Sequence, residues 1–312
     1  MSLPAGHTFR PMVLEDAALI AERSAVYTSA LLGFPKHSPE DVANYLRDPG
    51  INLTTDAWVV LDPNGNFAGS ATAVQITGGT HVNIDILSNN PAVLNWLLDQ
   101  TERRAHATGR HEVVLQVGAI RQDQLLPEVL AARGFAVGTS VQRMRITFDG
   151  EVLPPAVPDN VVVRRGAPDE ASRRAAHGVL MEAFAGQPAT LPRPFDEWAA
   201  SRESRSTFDW SQVTTLELDG QAVAMTECND NFVSTDNCGY VGRLAVVPSA
   251  RGRGFAKFLL HNAFAVDAAA GRSGTILHVD SSNPTPAVAL YTGVGMRPDL
   301  ISDIWRRTIQ PA

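Results

Sequence analysis

The feature that most constrains this chain is an internal repeat: its two halves carry the same short elements in the same order at a slowly drifting offset. Phe9-Arg10 followed by Leu14-Glu15-Asp16-Ala17 matches Val163-Arg164 followed by Pro168-Asp169-Glu170-Ala171. Each reads as a short strand, a turn and a helix with acids in its first turn, where the helix dipole favours them. Val59-Val60-Leu61, the turn Asp62-Pro63-Asn64-Gly65 and the return Phe67-Ala68-Gly69 match Leu216-Glu217-Leu218, Asp219-Gly220 and Ala222-Val223-Ala224. These are two hairpins, the second on an Asp-Gly turn. Gly109-Arg110 with Val114-Leu115-Gln116-Val117 matches Gly271-Arg272 with Ile276-Leu277-His278-Val279, and Arg133-Gly134-Phe135 matches Val294-Gly295-Met296. Such a chain is expected to fold as two copies of one unit. Each copy runs strand, helix or helices, hairpin, strand, long helix, strand, helix, strand, which makes a mixed α/β layer with helices packed on a sheet.

A length of 312 residues agrees with about two domains. Pro154, Pro155 and Pro158 favour an extended, semi-rigid joint. The expected division is therefore 1–150, a linker over 151–159, and 160–312. The net charge of -7 speaks against a protein that wraps nucleic acid or lies on anionic lipid through its bulk charge. Neither nucleic acid nor membrane is an expected partner. No apolar run approaches the roughly 18 residues of a membrane span, and Met1 to Arg10 lacks the segments of a secretory signal, so a soluble, cytoplasmic monomer or homodimer is expected. Cys228 and Cys238 make neither a disulfide framework nor a four-ligand zinc site by themselves. They are expected to be ordinary thiols on opposite arms of one hairpin, able to face each other, and no metal is expected.

One loop carries recognisable chemistry. The strand Tyr240-Val241-Gly242-Arg243-Leu244-Ala245-Val246-Val247 ends at Pro248 and leads into Arg251-Gly252-Arg253-Gly254-Phe255-Ala256. A helix follows, with Phe255, Phe258, Leu259, Ala263 and Phe264 on roughly one face and a stop at Gly271. A strand, a glycine turn and a helix start together present unpaired N–H groups at the positive end of a dipole, an arrangement suited to a pyrophosphate. Gly252 and Gly254 let the main chain approach the phosphates, and Arg251, Arg253 and Lys257 add positive charge. The ending of a Walker loop and the spacing of a dinucleotide fingerprint are both absent. Solvated arginines on a plain glycine turn are the alternative reading of the loop alone.

The stretch Leu244-Ala245-Val246-x-Pro248-x-x-Arg251-Gly252-x-Gly254-x-Ala256 resembles the acyl-CoA signature of the GNAT acetyltransferases. Downstream, Val279-Asp280-x-x-Asn283-Pro284-Thr285-x-Ala287-x-x-Leu290-Tyr291-x-x-x-Gly295-Met296 resembles that family's second motif. The resemblance covers about residues 160 to 309, the first half matches only in outline, and the paired layout is similar to tandem acetyltransferases of the mycothiol synthase type. It implies two tandem GNAT-like acyl-CoA N-acyltransferase domains, α/β in class, each a mixed, mostly antiparallel sheet flanked by helices. It further implies an enzyme that moves an acetyl group from acetyl-CoA, its acyl-donor co-substrate, to a primary amine of a small molecule or a peptide; an acyl-CoA-binding sensor or interaction protein without transferase activity is the alternative. Carried over by position, Leu244, Ala245 and Val246 meet the pantetheine, with the main-chain groups of Leu244 and Val246 in contact and the Val246 N–H near the thioester carbonyl. Main-chain N–H groups from Gly252 through Arg253, Gly254 and Phe255 to Ala256 hold the pyrophosphate, and Asn283 bonds the pantetheine amides. Tyr291 protonates the departing thiolate. Where the mycothiol synthase type has a basic glutamate early in the strand, this sequence has Tyr240. Glu227 on the preceding strand is then the nearest carboxylate for the base, with His278 or a water chain as alternatives. Phe195 and Trp198 fall in the region that lines the acceptor pocket in this family, or else pack their own helix.

The first half has lost the motif. Asn89-Asn90-Pro91-Ala92 falls where Arg251-Gly252-Arg253-Gly254 lies, and Pro91 has no N–H to offer. Pro91 suits a first helical turn instead. Leu130 stands in for Tyr291 and Gln122 for Asn283. The first half is therefore expected to be non-catalytic.

Overall fold

The computed structural model describes residues 2–75, 79–107, 112–185, 193–282 and 285–310. The chain forms two compact units, one of residues 1–141 with 301–312 and one of residues 142–300. The first contains β1 (Thr8–Pro11), α1 (Asp16–Leu32), α2 (Pro39–Leu46), α3 (Leu53–Asp56), β2 (Ala57–Leu61), β3 (Phe67–Gln75), β4 (His81–Leu87), α4 (Pro91–His106), β5 (Val113–Ile120), α5 (Leu125–Ala132) and the start of β6 (Ala136–Thr147). The second contains β7 (Val161–Arg165), α6 (Glu170–Ala183), α7 (Phe195–Glu203), β8 (Val213–Leu218), β9 (Gln221–Asn229), α8 (Val233–Asp236), β10 (Cys238–Val246), α9 (Phe255–Ala269), β11 (Gly274–Asp280), α10 (Ala287–Gly293) and the start of β12 (Arg297–Ile309).

Each unit has the same sheet. In the first, the order β1-β2-β3-β4-β5 is closed by the end of β12, with Ser302 opposite Ile120 and Ile309 opposite Val113. In the second, β7-β8-β9-β10-β11 is closed by the end of β6. Only β4 with β5 and β10 with β11 are parallel; the other registered pairs are antiparallel. This division differs from a single cut at the proline-rich stretch. Residues 142–147 belong to the second unit and 301–309 to the first, because the last strand of each repeat pairs outside its own stretch of sequence. Residues 151–158 form neither helix nor strand.

Local chemistry explains the matched elements. Asp219 and Gly220 both have positive φ, 52° and 78°, as the tight turn between β8 and β9 requires. In the first unit Val93, Leu94, Leu97 and Leu98 of α4 pack on Val60, Ile84, Leu115 and Val117 of the sheet. In the second, Phe255, Phe258 and Leu259 of α9 pack with Met225, Ala245 and Val247, while Leu260, Ala263 and Phe264 pack with Met144, Val241, Leu277 and Met296. Each such fully buried side chain contributes about 1.5–3 kcal/mol of transfer free energy. The long helix is therefore clamped to the sheet, which fixes where its first turn sits.

Candidate active site

The sheet of the second unit opens at one place. β10 pairs in parallel with β11 from Cys238 opposite Gly274 to Val241 opposite Leu277, and there the pairing stops. Yet β10 runs on to Val246 and β11 to Asp280, and β10 stays paired with β9 as far as Val246 opposite Ala224. The register of β10 on β9 slips between Val241 and Arg243, a bulge at Gly242 that turns the strand away from β11. The Val247 N–H donates to the Val223 carbonyl at 3.0 Å. By the two-residue period Ala245 shares that ladder, and the main-chain groups of Leu244 and Val246 face the gap between β10 and β11. An extended amide-bearing chain can add to this edge as a strand would.

At the end of the gap stands the start of α9. Gly254 is its N-cap, with φ 81°, and no side chain caps the helix. Gly252 is left-handed as well, with φ 78°. A Cβ on either glycine would meet no protein atom within 4 Å, so backbone conformation, not crowding, demands glycine there. The first N–H groups of α9 are thus directed outward at the positive end of its dipole. Arg253 and Lys257 are exposed and make no hydrogen bond or ion pair among the described residues. Arg251 behaves differently from these two. Its guanidinium donates to the Val246 carbonyl at 3.2 Å and to the Ala183 carbonyl at 3.0 Å, so it braces the loop from beneath. Phe255 is buried beneath the loop, and Ala256 is half-buried.

Tyr291 lies on α10, partly buried against Val241, Leu260 and Leu277. Burial first, and then the neighbouring Tyr240, push its phenol up to about 12. It stays protonated at neutral pH and keeps a proton to give. Tyr240 is also pushed up by burial, opposed by Arg243 and Arg205. Its hydroxyl lies 3.1 Å from Nδ1 of the exposed His278 on β11, and its ring meets Phe232 and His278 edge-on at 5.1 and 5.5 Å. Glu227 is buried, and Arg202 of α7 donates to both of its oxygens at 3.0 and 3.1 Å. Burial lowers the Arg202 guanidinium to about 10 against the pull of Glu227. The carboxylate expected as the base is therefore tied up in a two-pronged ion pair.

Trp198 is 1% exposed and sits in the core of the unit among His177, Phe195, Trp210 and Arg202. It can shape an acceptor site only through what it positions. Phe195 is half-buried, with the Arg174 guanidinium 4.0 Å from its ring centre. Asn283 lies outside the described residues. Cys228 and Cys238 are free thiols raised by burial. They do not face each other: Cys228 lies opposite Val241, and Cys238 opposite Gly274. Two residues of this region were not singled out from the sequence, Arg202 for Glu227 and Arg243 beside Tyr240. The spacing of Trp198 and Arg202, one helical turn apart beside a strand bearing an acid, is the signal that would have found the first.

The first unit keeps the opening without the cradle. β4 and β5 pair only as far as Ile84 opposite Val117, although they run on to Leu87 and Ile120. But α4 starts at Pro91, and the Asn90 carboxamide oxygen accepts from the N–H groups of Ala92 and Val93 at 2.9 and 3.4 Å. The donors an anion would need are already bonded by the chain itself. Leu130 is completely buried, and Gln122 lies in a turn.

Residues 180–296 match the model of the Acetyltransferase (GNAT) family. The chain thus carries a GNAT match within its second unit. Its whole length superposes on a GCN5-related N-acetyltransferase from Sphaerobacter thermophilus with a TM-score of 0.81 at 23% identity, covering 100% of this chain and 98% of that one. A tandem GNAT protein from the clavulanic acid biosynthesis pathway gives 0.75 at 16% identity, covering 98% and 99%. Saccharomyces cerevisiae N-myristoyltransferase, solved with bound myristoyl-CoA, gives 0.65 at 9% identity, covering 98% and 80%. No curated protein matched the sequence. At these identities the structures establish the fold alone, two GNAT-like units in tandem, and the family match falls in the second. Among the described residues there is no cluster of side chains fit to hold a metal ion, and no helix long and apolar enough to cross a membrane.

Proposed function

We propose that the second unit transfers an acetyl group from acetyl-CoA to a primary amine of a small molecule, by direct attack in a ternary complex. The observation that carries this reading is the coincidence of the opened β10 edge with an uncapped, left-handed glycine start of α9. The Leu244 and Val246 main chain pairs with the pantetheine, Ala245 holds the strand to β9, and Asn283 bonds the pantetheine amides. The N–H groups of Gly252 through Ala256 take the pyrophosphate, with Arg253 and Lys257 around it and Arg251 bracing the loop. The Val246 N–H stabilises the negative charge that grows on the carbonyl oxygen as the amine attacks. Tyr291 gives its proton to the sulfur as the C–S bond breaks.

Two results follow. Calorimetric titration with acetyl-CoA gives a single equivalent bound per chain, because Asn90 occupies the counterpart cradle of the first unit; a second equivalent of similar affinity would show that unit to be a binding site too. Tyr291→Phe lowers kcat by about 100-fold while leaving the acetyl-CoA Kd within about threefold, since a positioned acid contributes about 10²–10⁴. An unchanged kcat would take Tyr291 out of that role.

The engaged state of Glu227 favours a second reading, an acyl-CoA-binding sensor without transferase activity. Release of free CoA across a panel of amines separates the two. Acetyl-CoA that binds, yet is consumed with no amine, would establish the sensor.

A further inference from the structure

With Glu227 held by Arg202, the proton of an attacking amine needs another route, and the second unit contains one. Tyr240 stands on β10 two residues before the bulge at Gly242, opposite Ile276, and His278 stands on β11 one residue past the last paired position, Leu277. The two side chains therefore meet across the mouth of the gap, Tyr240 Oη 3.1 Å from His278 Nδ1. Phe232 packs on both rings, at 5.1 Å from Tyr240 and 5.9 Å from His278, and holds them in place. Tyr240 is half-buried and His278 exposed, so the pair leads from the interior of the unit to water.

We infer that Tyr240 receives the amine proton through water in the gap, and that His278, acting through it, draws that proton out to solvent. This inference rests on the transferase reading. As the N–C bond forms and the C–S bond breaks, the amine proton passes along water in the gap to Tyr240 Oη, six residues down the strand from Val246, while the tyrosine's own proton passes to His278 Nδ1. The imidazolium returns a proton to bulk water, and Tyr291 protonates the thiolate and regains a proton from bulk water, so charge and protons balance over the turnover. A relay suits this tyrosine better than a standing phenolate, because burial keeps the phenol neutral. Among the described residues, the charged and titratable groups facing it are Glu227 on β9, Arg243 on β10, Arg205 after α7 and Tyr291 on α10, besides His278 itself. The two arginines stabilise negative charge passing through the hydroxyl, and Glu227 opposes it.

The test uses the full-length protein and the amine that the wild type acetylates. Tyr240→Phe keeps the ring packing and is expected to lower kcat by about 100-fold with the acetyl-CoA Kd unchanged. His278→Gln is expected to lower kcat by about tenfold and to remove the acid limb of the kcat profile, which a merely structural residue would not do. A kcat within twofold of wild type for Tyr240→Phe, or an acid limb retained in His278→Gln, overturns the relay while leaving the transferase reading intact. A second measurement needs no turnover. Nitrogen-detected NMR of the imidazole should show His278 as the tautomer protonated at Nε2, and Tyr240→Phe should abolish that preference. A tautomer protonated at Nδ1, or one indifferent to the phenol, refutes the hydrogen bond on which the relay depends. A wild type that acetylates no amine defeats the transferase reading and the relay together.

Discussion

Gly254→Glu is expected to abolish acetyl-CoA binding, raising Kd at least a hundredfold, while Gly254→Gln raises it about tenfold. Both variants force a Cβ-bearing residue into the left-handed N-cap of α9, where φ is 81°, at a cost of about 1–2 kcal/mol. They differ in one charge. A carboxylate about 5 Å from a phosphate charge, at an effective dielectric of about 20, opposes it by about 3 kcal/mol, which is more than a hundredfold in affinity. The Cβ of either residue meets no protein atom within 4 Å, so both should fold with Tm values close to each other. Calorimetric titration of the pair isolates the electrostatic part. Equal affinities for the Glu and Gln variants would remove the anion from this helix start.

How far this site was legible depends on the distance over which each feature is decided. The Leu244 and Val246 main-chain contacts come only from the family resemblance, whereas the repeat and the glycine turn follow from neighbours within a few residues. The lost glycine cradle of the first unit was legible for the same reason: Pro91 opens α4, and Asn90 caps it from one residue away. The fork between Arg202 and Glu227 was not, because its partners are 25 residues apart and meet only when α7 lies on β9. Arg251 was read as a phosphate-side charge, and it braces the Val246 and Ala183 carbonyls instead, the second of them 68 residues away. The exchange of closing strands was hidden for a related reason. Nothing in the alternation along β6 or β12 names the partner strand, and sheet pairing is settled by which edge is open when the sheet forms. The contact of Tyr240 with His278 joins strands that are adjacent in the repeat but 38 residues apart in the chain.

The second large effect concerns that fork. Arg202→Met should destabilise the second unit by about 3–5 kcal/mol, since it leaves the Glu227 carboxylate buried without its partner. For a unit of this size the loss lowers Tm on the order of 10 °C. The double change Arg202→Met with Glu227→Leu should recover most of it, because two apolar side chains need no compensation for desolvated charge. The lost contact of Arg202 with the Trp198 ring, 5.3 Å away, keeps the recovery incomplete. Thermal unfolding of the three proteins measures this directly, and an Arg202→Met variant as stable as wild type would show that Glu227 reaches water. Turnover of Glu227→Gln then separates structure from chemistry. If the carboxylate only anchors α7 to β9, Glu227→Gln loses stability and its remaining folded fraction turns over at the wild-type rate per molecule. Were it the base, kcat would collapse at a temperature where the variant is fully folded, and the proton would leave through Glu227 instead of Tyr240.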